Sequence, residues 1–401
     1  MLGAEFSPDV RRALRVDVSA TLLVALFAGL VEPFVGLILR RDLGATPLQL
    51  SLMSSATGAC LLLSLLWARA VRAHAPLPVL VWTGVAARGV FVLVPLVTSA
   101  WMLAGLVAAA SFFGAATQPA RAAVVERVYP AGERGRALGL ARMAAAALGI
   151  VLALGAGQLF ERVDWRWIFP AAALVGMAAS LRQLALDVPP PAAERPAAPA
   201  GRGAFTAVRA DHTFRRLLVA SFLFGAGCWV QTPAYPLLLV DVLGAGAAHV
   251  GVFAAAAAAA ALVGGGGWGW LVDRRGTLEA LRLMYLVGAA TPLIYFVAWS
   301  PWVLVASAAT DSLMAVGLEV VWMLAVIDVA GPKRTAQYVA IGATLAGVRG
   351  VLGPLAGGVL IHLGGVHAVF LVAAALMLAG AWVAGRGLAA RVPARAISPS
   401  V

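Results

Sequence analysis

Long apolar runs separated by short polar breaks fill almost the whole chain. A helix that crosses a bilayer needs about 20 mostly apolar residues. Twelve such stretches are legible: 17–39, 46–68, 77–98, 101–125, 137–160 and 165–186 in the first half, then 216–240, 248–272, 278–299, 301–328, 336–362 and 364–385 in the second. The runs are too long for strands and lack alternation of apolar and polar positions, so the expected class is all-α membrane protein with twelve transmembrane helices. Between the halves, residues 187–215 carry DVPPPAAERPAAPAGRGAF, a Pro-, Ala- and Arg-rich stretch that reads as an extended cytoplasmic linker. The expected organisation is therefore an N-terminal bundle over 1–186, the linker over 187–215, and a C-terminal bundle over 216–401.

The halves repeat. Leu43-Gly44-Ala45 recurs as Leu243-Gly244-Ala245, Pro33 as Pro233 and Arg134 as Arg334, all at a shift of 200; Trp67 recurs as Trp268 and Trp101 as Trp302 at 201. Parallel six-helix repeats about an axis along the membrane normal are a transporter plan.

Composition fits lipid as the solvent, with 62% hydrophobic and 12% charged residues; soluble domains carry about 25% charged residues. The formal charge of +12 reads as loop charge that orients the helices rather than as a nucleic-acid surface. With the N-terminus in the cytoplasm, Arg11, Arg12, Arg15, Arg69, Arg72, Arg127, Arg134, Arg136, Arg182, Arg274, Arg275, Lys333, Arg334, Arg386, Arg391, Arg395 and the linker arginines lie inside. Only Arg40, Arg41, Arg162 and Arg166 lie outside. The expected location is the inner (plasma) membrane with both termini cytoplasmic. The segment through Arg15 does not read as a cleaved signal. Cys60 and Cys228 sit inside apolar runs and form no disulfide or metal pattern. No Gly-rich loop ends in Lys-Ser or Lys-Thr, so no cofactor and no direct ATP drive are expected.

Several motifs resemble the major facilitator superfamily. The most specific is GWLVDRRG, Gly269 to Gly276, between helices 8 and 9. It resembles the family's cytoplasmic gate loop: Gly269, then Asp273 and Arg274, then the turn at Gly276. Asp273 is placed where its carboxylate can face a neighbouring helix N-terminus, and Gly276 permits the tight turn. The first-half copy, Trp67 to His74, lacks the acid. ERGRALG (Glu133–Gly139) resembles the helix 4–5 loop, and WRWIF (Trp165–Phe169) the start of helix 6. GVRGVLGPLAGG in helix 11, with Gly353, Pro354 and Gly357, resembles the glycine-proline motif of family antiporters. The small residues let helices approach, and Pro354 can supply a hinge. The resemblance implies two pseudo-symmetric six-helix bundles, with helices 1, 4, 7 and 10 around a central cavity.

Charged groups inside a bilayer cost roughly 2.5–3.5 kcal/mol on insertion scales, which makes them functional candidates. Glu32 in helix 1 is a candidate proton carrier, with pairing to Arg40 or Arg41 as the structural alternative. Many exporters of the family resembled carry an acid in helix 1. Asp311 and Glu319 in helix 10 are further proton-coupling candidates. Eight residues apart, they fall on adjacent faces, about 80° from one another, and Trp322 at eleven residues shares the stripe of Asp311. Arg88 in helix 3 needs a partner, for which Glu32 or helix 4 groups could serve. Arg349 in helix 11 has Asp311 or Glu319 as candidates. Arg121 and Arg142 read as gate or interface pairs. Gln118, Trp229, Gln231 and Tyr235 join Arg88, Arg349 and Trp322 as expected cavity residues; an intramembrane Gln is equally a packing group.

The reading that joins these features is a non-enzymatic secondary transporter acting by alternating access. It is expected to export small lipophilic or cationic compounds against protons, as a monomer in the bilayer and without nucleic acid. Two alternatives stay open at this stage: uptake of a small, possibly anionic solute through Arg88, Arg121 and Arg349, and a non-transporting membrane scaffold or sensor.

Overall fold

The computed structural model describes residues 6–73, 75–189, 211–330 and 335–388. Most of the expected linker, the loop with Lys333 and Arg334, the side chains of Arg69 and Arg72, His74, and Arg391 and Arg395 lie outside the described residues. The first six helices are α1 (Pro8–Arg41), α2 (Pro47–Ala73), α3 (Pro76–Leu96), α4 (Ala100–Val128), α5 (Ala131–Arg162) and α6 (Trp165–Ala185). The next four are α7 (His212–Val242), α8 (Ala247–Arg275), α9 (Thr277–Val297) and α10 (Pro301–Ala330). The last element, Thr335–Leu388, leaves helical geometry at Gly365, whose φ is 76°. It is two helices, α11 (335–364) and α12 (366–388). Apart from α2, whose apolar part is the shorter Pro47–Leu63, α1 to α10 are each long and apolar enough to cross a bilayer, as is the stretch Tyr338–Arg386 that holds α11 and α12. The described residues thus hold twelve helices, as the hydropathy pattern predicts.

Polar side chains start several of them. Asp164 accepts from Arg166 N at 2.8 Å, and Asp211 accepts from Thr213 N and Phe214 N at 3.0 Å each. Both satisfy amides that the first helical turn leaves open.

The repeat is carried by matching hydrogen bonds. Ala45 N donates to Leu39 O at 2.7 Å, and Ala245 N to Leu239 O at 2.9 Å. The intervening Gly44 and Gly244 have φ of 62° and 59°, in the left-handed region that favours glycine. Trp67 Nε1 donates to Phe112 O at 3.1 Å, and Trp268 Nε1 to Leu313 O at 2.8 Å. Each indole staples the second helix of its half to the fourth.

The halves meet through α2 against α11 and α5 against α8. A Cβ on Gly58 would lie 2.1 Å from Gly350 O, and one on Gly251 would lie 2.4 Å from Ala153 O. Backbones this close require small residues, the usual solution where lipid removes the hydrophobic drive between helices. The Gly-Pro stretch of α11 is shared between this seam and packing within the second half. Gly353 and Gly357 receive Trp229 and Val230 of α7, and Gly358 faces Ser51 of α2. Helical geometry continues through Pro354, and the break comes at Gly365 instead.

We call the side where α1 begins and α12 ends the near side. One core cluster spans both halves and lies on the far side, with Phe34, Leu37, Ile38, Leu237, Leu238 and Leu239 at its centre. The near-side clusters belong to one half each. The halves are therefore sealed at the far side and part toward the near side.

Candidate functional site

A cavity of about 360 Å³ lies between α1, α3 and α4. From α1 it is lined by Phe27, Val31 and Glu32, from α3 by Arg88 and Phe91, and from α4 by Val107, Ser111 and Thr117. Glu32 is exposed to this space and makes no hydrogen bond or ion pair with any described residue. Arg40 is engaged by Asp241 and Arg41 by Asp42, so neither neutralises Glu32. Arg88 is held on the opposite wall. Its Nη1 donates to Gly84 O at 3.0 Å and to Ser180 Oγ at 2.7 Å. It stands 5.9 Å from the Phe27 ring centre, within cation–π range.

In the second half, Asp311 lies within electrostatic reach of Cys228, Tyr235 and Tyr295. It makes no hydrogen bond with a described residue. Tyr235 and Tyr295 are 5.3 Å apart between ring centres. Gln231 sits where the regular part of α7 ends at Val230, and its buried Oε1 has no partner among the described residues. Arg349 donates from Nη1 to Ser221 O and fills a notch at Gly225. Ser221 is the hub of this region: its Oγ also accepts from Trp322 Nε1 at 3.1 Å and meets Tyr285 Oη at 2.9 Å.

A second, more polar cavity of about 690 Å³ opens toward the near side, between α1, α4 and α5. Gln118, Arg121, Arg134 and Arg142 line it. Arg121 is paired with the buried Asp17 at 3.2 Å, and Tyr129 Oη reaches the same carboxylate at 3.4 Å. Arg142 crosses to the other half and meets Glu319 at 2.7 Å.

The family model of the Major Facilitator Superfamily matches residues 18–229 and 217–400. The chain belongs to the major facilitator superfamily. As a superfamily member it is a membrane transporter rather than an enzyme. No functionally curated protein matches the sequence. Among solved structures, a bacterial homologue of the human lysosomal transporter Spinster, inward-facing and unoccupied, aligns with a TM-score of 0.68 at 15% identity, covering 95% of this chain and 97% of that one. Its occupied form aligns at 0.69 and 14% identity, with the same coverage. A mutant of the nucleoside transporter NupG aligns at 0.73 and 11% identity, covering 93% and 98%. These likenesses are of fold.

Against the superfamily plan, several expected contacts are corrected. Asp273 makes no hydrogen bond or ion pair with a described residue. Asp328 at the end of α10 instead reaches the start of α9, accepting from Thr277 Oγ1 at 2.5 Å. Gly276 does make the expected turn, with φ of 79°, and Arg274 lies 4.6 Å over the Trp270 ring. Gly269 faces open space. Leu318–Trp322 form a π turn, which adds a residue to that turn of α10, and the Trp322 indole donates to Ser221 Oγ of α7. Arg349 pairs with neither Asp311 nor Glu319, and the partner of Glu319 is Arg142. Trp229 packs on Gly350 and Gly353. Asp17, Ser180, Ser221 and Asp328 were not singled out by the sequence reading. Asp17 is the one with a visible signal, an acid at the start of an apolar run.

Proposed function

We propose that this transporter couples export of small lipophilic or cationic compounds to proton entry, as a monomer in the plasma membrane with both termini cytoplasmic. The observation that carries this reading is Glu32: a carboxyl within the apolar run of α1 that lines a cavity and is unpaired among the described residues, free to hold a proton or a cationic solute in turn. Proton entry through a membrane potential is worth about 2.3 kcal/mol per 100 mV, enough to bias a two-state carrier. The near side, cytoplasmic by the arginine bias, is the open one, as loading of a substrate for export requires. The glycine-lined seams between α2 and α11 and between α5 and α8 are the surfaces on which the halves rock.

Of the three arginines that favour an anionic solute, Arg121 is engaged by Asp17 and Arg349 by Ser221. Only Arg88 faces the cavity, and it does so opposite an acid.

The test is flux of ethidium, a lipophilic cation, in proteoliposomes with an imposed pH gradient. The wild type is expected to concentrate ethidium against its gradient. Glu32→Gln is expected to abolish gradient-driven accumulation of ethidium. Coupled flux that survives Glu32→Gln would remove the proposal.

A further inference from the structure

In the cavity between α1, α3 and α4, an acid and a base face the same space without touching. Glu32 and Arg88 come no closer than an ion-pair distance of 4.0 Å, although each feels the other's charge. Unlike charges in a low-dielectric interior attract strongly, so the scaffold must hold them apart. It does so on the Arg88 side. Gly84 O and Ser180 Oγ hold Nη1. A Cβ on Gly176 would lie 2.6 Å from Arg88 Cδ, and one on Gly84 would lie 2.9 Å from Nη1. Two glycines and a buried serine thus make the slot into which the guanidinium is drawn. Its Nη2 makes no hydrogen bond with a described residue.

We infer that this cavity is a binding site for a small dipolar molecule, with a cationic nitrogen at Glu32, a carboxylate-type acceptor at Arg88 and an apolar body between them. The walls between the two charges are Phe27, Val31, Phe91 and Val107. The volume of about 360 Å³ is at the small end of ligand pockets, roughly 300–1,000 Å³. The site lies within the first half, so the ligand travels with that half. The inference rests on the reading of Glu32 as the acid of the transport site and narrows the solute class.

Three matched probes test it: phenylalanine, phenethylamine and 3-phenylpropionate, titrated calorimetrically into the purified full chain. Phenylalanine is expected to bind at least about tenfold more tightly than either single-charge probe. Arg88→Gln is expected to lower phenylalanine to the level of phenethylamine, and Glu32→Gln to the level of 3-phenylpropionate. Ser180→Ala, a milder change, is expected to release Arg88 toward Glu32 and weaken phenylalanine several-fold with the melting temperature nearly unchanged. Equal binding of phenylalanine and phenethylamine, a preference untouched by Arg88→Gln, or no binding of any probe would overturn the inference. If phenylalanine is preferred but the pH gradient drives no flux, proton coupling fails and the dipolar site stands; the reverse result sinks the dipolar site alone.

Discussion

Arg40 and Asp241 join the two halves across the far-side seam. Arg40 Nη2 lies 2.8 Å from Asp241 Oδ2 and Nε lies 2.9 Å from Oδ1, while Nη1 donates to Ala45 O at 2.8 Å. The pair closes the seam just beyond the point where Pro236 meets Gly36. Both side chains are partly exposed, so the pair is worth about 0.5–1 kcal/mol. Asp241→Asn is expected to raise far-side opening two- to fivefold. Labelling of a single cysteine at position 37 by a membrane-impermeant maleimide, in a background lacking Cys60 and Cys228, reads the change. Unaltered labelling would show that the apolar seal alone sets the closed state.

Arg142 and Glu319 form the second bridge between halves, on the open side. Their side chains are 75% and 60% exposed, so water screens the pair. Glu319→Arg is expected to slow ethidium flux by repulsion, and Arg142→Glu combined with Glu319→Arg to recover most of it. A double variant no faster than Glu319→Arg alone would show that the two residues act separately.

Gly58 and Gly350 set how closely α2 and α11 approach. Glycine to alanine within a helix normally gains up to about 1 kcal/mol. At Gly58 the added Cβ meets a carbonyl oxygen, and overpacking costs about 1–3 kcal/mol. Gly58→Ala should therefore lower the melting temperature, whereas Gly265→Ala, which faces open space, should raise it or leave it alone. Thermal unfolding in detergent compares the two, and equal shifts would contradict the close approach.

Gly44 and Gly244 provide a paired test of the repeat. Both hold a positive φ near 60°, where a Cβ costs roughly 1–2 kcal/mol. Gly44→Ala and Gly244→Ala should destabilise by similar amounts in the same unfolding assay. A large difference between them would mean that the two turns are not structurally equivalent.

Asp328, not Asp273, is hydrogen-bonded to Thr277 at the start of α9. Asp328→Asn is expected to weaken the tie to Thr277 and destabilise the α9–α10 contact by about 1 kcal/mol. Asp273→Asn should leave the unfolding midpoint within measurement error. The opposite ranking would restore the expected gate geometry.

The twelve spans and the duplicated plan were legible because the bilayer imposes length and hydropathy on each helix separately. Gly44 and Gly244 or Trp67 and Trp268 then betray the repeat, since each serves the same turn or staple in both halves. Contacts between helices were less legible. Glu319 and Arg142 stood out individually, yet they are 177 positions apart and nothing in either run names the other. Arg88 was expected to need a partner, but Ser180 on α6 looks like an ordinary small residue in an apolar run. The π turn at Leu318–Trp322 was not legible, because it has no composition signature. Asp17 went unremarked because an acid at the edge of an apolar run resembles a solvated flank, whereas packing against Arg121 and Tyr129 buries it.

The dry block around Phe34, Leu37 and Leu237 has an electrical meaning. A hydrated ion entering from the open side would have to shed its water before reaching the opposite compartment, and this block offers no carbonyl ring or charge to replace it. In the proposed cycle the membrane therefore stays insulated while the near side stands open, and charge crosses only with a rearrangement of the halves.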